Sequence, residues 1–521
     1  MAKSSKQAKA ATPAERSQSR EALTLLVVLG LLGGVAYRFV RDQVGMSHAE
    51  TKLIVDAKMT TSVKTELCGP PTKDGRPVVI SMLSSDDKRA WVEQAADRYA
   101  KLCPNIQVQL SVMGDIESAD AILAGEQQPT LWAPADELVV RYLDTRWRKE
   151  KNQDKPLFDV DQKRSLVESP LVVLIWEDRL QAVDAIMSAR SSEQGPWVDL
   201  LCAFVPPQAD PSGMATEDLI PGRWIDWYES ILPAPPRKKT PAPAAPRRRA
   251  EETPEVPKNV YRAPFPTLDE LRQWGVVKFG HTSPTRSASG LESLYLMAYD
   301  YVLPPKERPD AVAKAISDAQ AQADRHGSVV STDIAVPDFK RAFAKRKQAL
   351  GRWLKRCEGG LDAAPNSAKL LAETMFNVGP SRYDAVVTYE HLTFPILDQI
   401  DGFVNVMHDM RVIYPTPTIM NQHPVVLLDG PASLTDPQRL AATKWIDFLH
   451  SEEMQKKAID HGFRPANPVV SIRGYYSTTN PFLRLRRYGI TFDTPIVEPP
   501  RVDGELVNEL IRLWEDATGR N

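Results

Sequence analysis

Cysteines are few, catalytic signatures are missing and neither charge dominates. Cys68, Cys103, Cys202 and Cys357 lie far apart, with no Cys-x-x-Cys pair and no Cys/His spacing suited to a metal. The eight histidines are scattered, so a metal centre has no support. Gly-x-Ser-x-Gly, the Walker phosphate loop, the dinucleotide fingerprint and His-Glu-x-x-His do not occur, which removes the commonest hydrolase, nucleotide-binding and zinc-protease readings. With 65 basic and 67 acidic residues the net charge is −2, which argues against a chain that binds nucleic acid through bulk charge. No cofactor is implied.

What is present is an ordinary globular composition, 42% hydrophobic and 25% charged over 521 residues, enough for two or three folding units. Two segments depart from it. Ala22 to Val40 reads ALTLLVVLGLLGGVAYRFV, close to the ~20 apolar residues that span a bilayer. Lys3, Lys6, Lys9, Arg16 and Arg20 precede it, so the expected topology is single-pass, with residues 1–21 cytoplasmic and the bulk outside. A cleaved signal is the rival, but Tyr37, Arg38, Phe39, Val40 and Arg41 follow the apolar core directly and offer no small-residue cleavage site. The second segment, Pro233 to Lys258, holds eight prolines and seven basic residues. It cannot form a core and reads as a flexible insertion.

Residues 41–75 read as a stalk. After it the pattern alternates: a strand at Val78 to Leu83, the cap cluster Ser84-Ser85-Asp86-Asp87, a helix to Leu102, a strand at Ile106 to Val112, a helix at Ile116 to Leu123, a strand at Thr130 to Ala133 and a helix from Asp136. This βαβαβα order predicts a parallel sheet between helices, with ligands beyond the carboxyl ends of the strands. Leu171 to Trp176 is a further buried strand, Tyr383 to Tyr389, Arg411 to Tyr414 and Pro424 to Leu428 are others, and helices are expected at Leu291 to Tyr301, Ala311 to Ala323, Phe339 to Cys357, Ala368 to Phe376, Pro437 to His450 and about Gly504 to Ala517.

Three segments carry a family resemblance. His450 to Pro465, HSEEMQKKAIDHGFRP, resembles the C-terminal signature of type II extracellular solute-binding proteins, where a Ser-x-Glu-x-Gln segment leads to Gly-Phe-Arg-Pro. His281 to Gly290, HTSPTRSASG, is similar to a run in bacterial solute-binding domains sometimes fused to von Willebrand A modules, and Ala385 to Glu390, AVVTYE, is similar to a second-lobe strand of that family. The resemblance covers about residues 76 to 470 and implies an α/β, two-lobed type II periplasmic-binding-protein-like fold after one N-terminal transmembrane helix. The first lobe would hold residues 76–178 and 412–521, the second 179–411 with the insertion 233–258. It further implies a binding protein rather than an enzyme, a small polar or anionic solute in the cleft, and an ABC permease or other membrane complex as partner at a bacterial inner membrane, with the bulk periplasmic or extracellular. The alternative is a ligand-sensing or scaffolding module without transport.

Candidate ligand-binding residues follow from position. Serines and a glycine at a helix start leave backbone N–H groups aimed at one spot, which suits an anion; hence Arg286, Ser287, Ser289 and Gly290. Ser84 and Ser85 sit at the first strand's end, Trp132 at the third's, and Tyr389 with Glu390 at the end of a second-lobe strand. Ser85 to Lys88 also fits Ser-x-x-Lys, but without the Lys-Thr-Gly and Ser-Asp-Asn motifs of acyl-transferring enzymes a helix cap is the better reading.

Overall fold

The computed structural model describes residues 66–70, 75–151, 156–158, 163–190, 195–201, 222–229, 266–308, 329–331, 336–358, 365–402, 409–428, 434–476, 478–492 and 496–520. The chain divides into two units, 1–70 and 71–521, and every strand belongs to the second. The stretches 22–40 and 233–258 and the helix expected at Ala311 to Ala323 lie outside the described residues. Among the described residues no helix is long and apolar enough to cross a membrane. That overturns the expected placement as a single-pass inner-membrane protein. Cys68, Cys103 and Cys357 are disulfide-bonded.

In chain order the strands are β1 (Val78–Ser84), β2 (Ile106–Val112), β3 (Leu131–Ala133), β4 (Arg164–Ser165), β5 (Val167–Trp176), β6 (Phe279–Gly280), β7 (Val329–Ser331), β8 (Ala385–Tyr389), β9 (Met410–Ile413), β10 (Met420–Asn421), β11 (Pro424–Leu427), β12 (Arg464–Pro465) and β13 (Ile496–Glu498). The first sheet has the order β2-β1-β3-β11-β4, parallel except for β11, which runs against both β3 and β4. At its edge β2 alternates exposed Gln107, Gln109 and Ser111 with better covered Ile106, Val108 and Leu110, the pattern of a strand with one wet face.

The second sheet is built on β5. It pairs with β8 and β9 along its second half and with β12 and β10 along its first half, all antiparallel. Nine of its ten residues are buried, because both faces are covered. Leu171, Val173 and Ile175 join one apolar cluster and Val172, Leu174 and Trp176 another, the two-residue alternation of a central strand. The first cluster also contains Leu83 and Trp132 of the first sheet, so one core runs unbroken between the sheets. At its heart lies the helix Ala288–Val302, buried at every residue but Tyr301, as expected of a helix apolar on all sides.

The chain passes from the first sheet to the second at Leu166, between β4 and β5, and returns at Gln422-His423, between β10 and β11; the sequence pattern places the lobe boundaries near 178 and 411 instead. The two crossings touch. Leu166 N donates to His423 O at 3.1 Å and Ser165 Oγ donates to Gln422 O at 2.7 Å. His423 adopts φ 39°, a conformation that a non-glycine residue holds only under constraint from its surroundings.

Candidate functional site

At these crossings the strand ends of both sheets and the start of helix Ala288–Val302 enclose a buried polar cluster. From the first sheet, β1 ends in Ser84 and is followed by Ser85, whose N–H donates to Ala133 O at the end of β3. One turn on, Lys88 is fully buried, and its Nζ donates to Ser85 Oγ at 2.6 Å and Pro134 O at 3.1 Å. Burial lowers its pKa to about 8 against the raising pull of Asp115 and Asp87. The Ser85–Lys88 contact therefore exists, without the companion motifs an acyl enzyme needs. Ser84 Oγ donates to Ser85 O.

Asp115 ties three elements together. It opens the helix Asp115–Ala124, accepts from Ala135 N at 2.8 Å through Oδ1, and accepts from Ala288 N at 3.4 Å through Oδ2. The start of helix Ala288–Val302, where an anionic ligand was expected, thus already faces a carboxylate of the protein. Ser287 occupies the cap position without capping through its side chain; its Oγ bonds Ser289 Oγ at 3.0 Å, and Ser289 Oγ bonds Thr282 Oγ1 at 2.7 Å. Gly290 is explained by close approach, since a Cβ there would lie 2.4 Å from Thr282 O. Arg286 is exposed and points away from this cluster, lining with Glu117, Asp120 and Glu515 a separate cavity of about 490 Å³. Trp132 is buried, with Nε1 donating to Ser118 Oγ at 2.9 Å.

From the second sheet, Tyr389 Oη donates to Glu292 Oε1 at 3.1 Å, and Asn421 Nδ2 donates to Glu292 Oε2 at 3.1 Å. Burial, with Asp136 and Asp115 adding repulsion, pushes the Glu292 carboxyl well up. Glu390 faces elsewhere. Arg464 grips it with two bonds of 2.8 and 2.7 Å, and Tyr414 Oη donates to it at 2.5 Å. The Gly-Phe-Arg-Pro motif is thereby accounted for in full. Gly462 takes φ 84° after the helix Glu452–Asp460, Phe463 stacks on His391 at 4.1 Å, Arg464 clamps Glu390, and Pro465 pairs with Val167.

Sequence reasoning missed Lys88, Asp115, Ser169, Glu292, His391, Asn421 and His423. His391 Nδ1 bonds Ser169 Oγ at 2.9 Å, and burial holds its pKa down to about 3. His423 lies edge-on to Tyr389, His391 and Phe463, with ring centres 6.1, 5.6 and 5.2 Å apart. Burial, then the charge of Lys88, keeps it neutral. Neither of its ring nitrogens has a hydrogen-bond partner, and neither has Asn421 Oδ1. Two signals could have pointed here: the lone acid in the apolar run LESLYLMAY, and Asn-Gln-His set between Ile-Met and Pro-Val-Val. A small cavity of about 30 Å³, lined by Asp136, Met420 and Gln422 among others, adjoins the crossing. Among the described residues no group of His, Cys, Asp and Glu is arranged to hold a metal ion.

No family model matches the chain, and no curated protein does. Solved structures give distant likenesses. The ferric binding protein from Campylobacter jejuni matches at 12% identity and TM-score 0.42, over 84% of this chain and 98% of that one. The periplasmic binding protein AfuA from Actinobacillus pleuropneumoniae, with fructose-6-phosphate bound, matches at 12% and 0.41, over 85% and 99%. Iron-bound HitA from Pseudomonas aeruginosa matches at 11% and 0.39, over 85% and 99%. Likenesses of this size are too remote to carry a conclusion about this chain.

Proposed function

We propose that this chain is a solute-binding protein that closes two lobes over a small polar molecule at the Gln422-His423 crossing and hands it to an ATP-driven permease. One observation carries the reading: polar atoms of Asn421 and His423 lie buried and unpartnered where the two sheets are joined by adjacent crossings. Buried polar groups are nearly always paired, and each unpaired one costs about 1–3 kcal/mol, so such a cluster fits a place where a solute supplies the missing partners. Its residues come from the ends of β1, β3 and β8 and from the crossing segment, so a bound solute would bridge both lobes and stabilise closure. Ser84, Ser85, Ser287, Ser289 and Tyr389 would border it. Trp132 would wall it, Gly290 would let the helix start approach, and Arg286 and Glu390 fall outside it.

The unbroken apolar cluster between the sheets favours a second reading, a scaffolding module whose lobes never part. Native mass spectrometry and small-angle scattering on gently purified protein separate the two. Capture predicts a non-covalent small-molecule adduct and a radius of gyration that grows when the adduct is stripped. A bare protein of fixed radius would establish the scaffold.

A further inference from the structure

Capture leaves the chemistry of the solute open, and the cluster constrains it in three ways. The first is charge. Asp87, Asp115, Asp136 and Glu292 act on one another and on Tyr389, and the ammonium facing them from within is that of Lys88. Lys369 acts on Asp87 as the least of its influences. Arg501 acts on Asp136 but is itself held by Glu137 at 2.6 Å and Glu498 at 3.2 Å. Burial raises Asp87 to about 8 and Glu292 well up, so these acids lean toward the neutral form, and an incoming anion would find no free countercharge, because the Lys88 ammonium already bonds Ser85 Oγ and Pro134 O.

The second constraint is occupancy. Both oxygens of Asp115 and both of Glu292 already accept one hydrogen bond each, so an ammonium group would have to share them with donors of the protein. The third is what remains unpartnered: one amide oxygen, which only accepts, the neutral imidazole of His423, which has one donor and one acceptor nitrogen, and Nε2 of His391. Hydroxyl groups both donate and accept and answer such a set.

We infer that the solute is an uncharged polyhydroxylated molecule, a sugar or polyol, with one hydroxyl donating to Asn421 Oδ1 and neighbouring hydroxyls bonded to the imidazole of His423. This rests on the solute-capture reading and names its ligand class. It replaces the anionic solute expected at Ser287 to Gly290, where Asp115 already stands.

The test is a thermal-shift and calorimetry panel on the full chain: glucose, ribose, mannitol and myo-inositol against sulfate, phosphate, citrate and putrescine. The expected result is a raised melting temperature with at least one member of the first group and none with the second. A hydrogen bond is worth about 0.5–1.5 kcal/mol, roughly a two- to tenfold change in affinity each. His423→Phe, which removes both nitrogens, should therefore weaken binding of the responding polyol roughly four- to a hundredfold, and His423→Gln, which retains a donor and an acceptor, less. Circular dichroism on each variant establishes that it is folded, so that any loss is not unfolding. A response to sulfate, phosphate, citrate or putrescine alone would overturn the ligand class while leaving capture standing. A polyol bound equally well by wild type and His423→Phe would overturn the assigned residues. Silence across the panel overturns the class, and the mass-spectrometric adduct then decides whether capture itself survives.

Discussion

Glu390 and Asn421 are both completely buried polar residues beside the same strand, β5, and they have opposite circumstances. Glu390 receives two bonds from Arg464 and one from Tyr414. Asn421 donates from its amide nitrogen to Glu292 but leaves its oxygen without a partner, and His423 two residues on leaves both ring nitrogens so. A buried polar group whose bonds are all made within the chain is architecture, fixing how segments meet. Several left unpartnered side by side, as Asn421 Oδ1 is beside both ring nitrogens of His423, mark where something else can bind. Burial alone does not separate the two, and neither does residue type: Glu390 looked as plausible a ligand residue as any from its place at a strand end.

The strongest way to break this contrast is to orphan the satisfied group. Arg464→Met leaves the Glu390 carboxylate buried without its countercharge, and removing one partner of a buried pair costs about 3–5 kcal/mol. Urea unfolding should show that loss, and Glu390→Met added to Arg464→Met should recover most of it. A loss below about 1 kcal/mol would mean that the bidentate pair is not structural.

Next in size is a pH effect at His391. Its folded pKa lies at about 3 because burial opposes the charge, whereas in the unfolded chain it titrates near 6.5. Below pH 6.5 the unfolded state therefore binds a proton that the native state refuses, so stability is intact above about 6.5 and falls as pH drops toward 3, by up to about 1.4 kcal/mol per unit. The raised carboxyls nearby work the opposite way, but they are common to wild type and His391→Phe. In the difference between their unfolding free energies, wild type should lose about 2 kcal/mol between pH 6.5 and 5. A flat difference would show that His391 is protonated or exposed in the folded protein.

Smaller again is the stability change at the unpartnered group itself. His423→Phe removes two nitrogens that make no bond and keeps an aromatic ring among Tyr389, His391 and Phe463. The expected shift without solute is a gain of about 1 kcal/mol, the low end of the cost of a buried unpaired group, since no hydrogen bond is lost and two unpaired nitrogens are removed. A loss of 3 kcal/mol or more by urea unfolding would show that the imidazole has a structural partner, and it would return His423 to the class of Glu390.

Much of the architecture was legible in the sequence, because strand and helix periodicities are local. The strand read at Ile106 to Val112 is β2, the helix read at Ala368 to Phe376 matches Ala368–Val378 to within two residues, and Gly462-Phe463-Arg464-Pro465 is a turn built from those residue types. The site was legible only in part. Ser84, Ser85 and Tyr389 were found because they end strands, but which of them keeps a free atom depends on residues hundreds of positions away. Arg464 takes Glu390 from 74 residues off, and Asp115 reaches Ala288 across 173. No local pattern announces such a pairing. Asn421 and His423 belong to a two-residue strand and its exit, too short for any period to register.

The smallest effect is expected where partnership exists without burial. Lys149 Nζ lies 3.0 Å from Glu505 Oε1, an ion pair as well formed by distance as several in the interior, but its side chains are 58% and 66% exposed. Water solvates both charges whether or not they meet, and holding two long side chains together costs entropy, so such pairs contribute about 0–1 kcal/mol. Glu505 also sits in the first turn of the helix Gly504–Thr518, where the helix dipole favours it with or without Lys149. That helix is held by its apolar face, Leu506, Val507, Leu510, Ile511 and Trp514, and by contact so close that a Cβ on Gly504 would lie 2.0 Å from Arg141 O. Lys149→Ala should therefore cost at most about 0.5 kcal/mol in low salt, and nothing measurable in 1 M salt, where the screening length is about 3 Å. Urea titrations at the two ionic strengths measure both. A cost above 2 kcal/mol that persisted in salt would mean that pairing, wherever it occurs, decides stability here. The separation between Glu390 and Asn421 would then have to be drawn on partners alone, with burial playing no part.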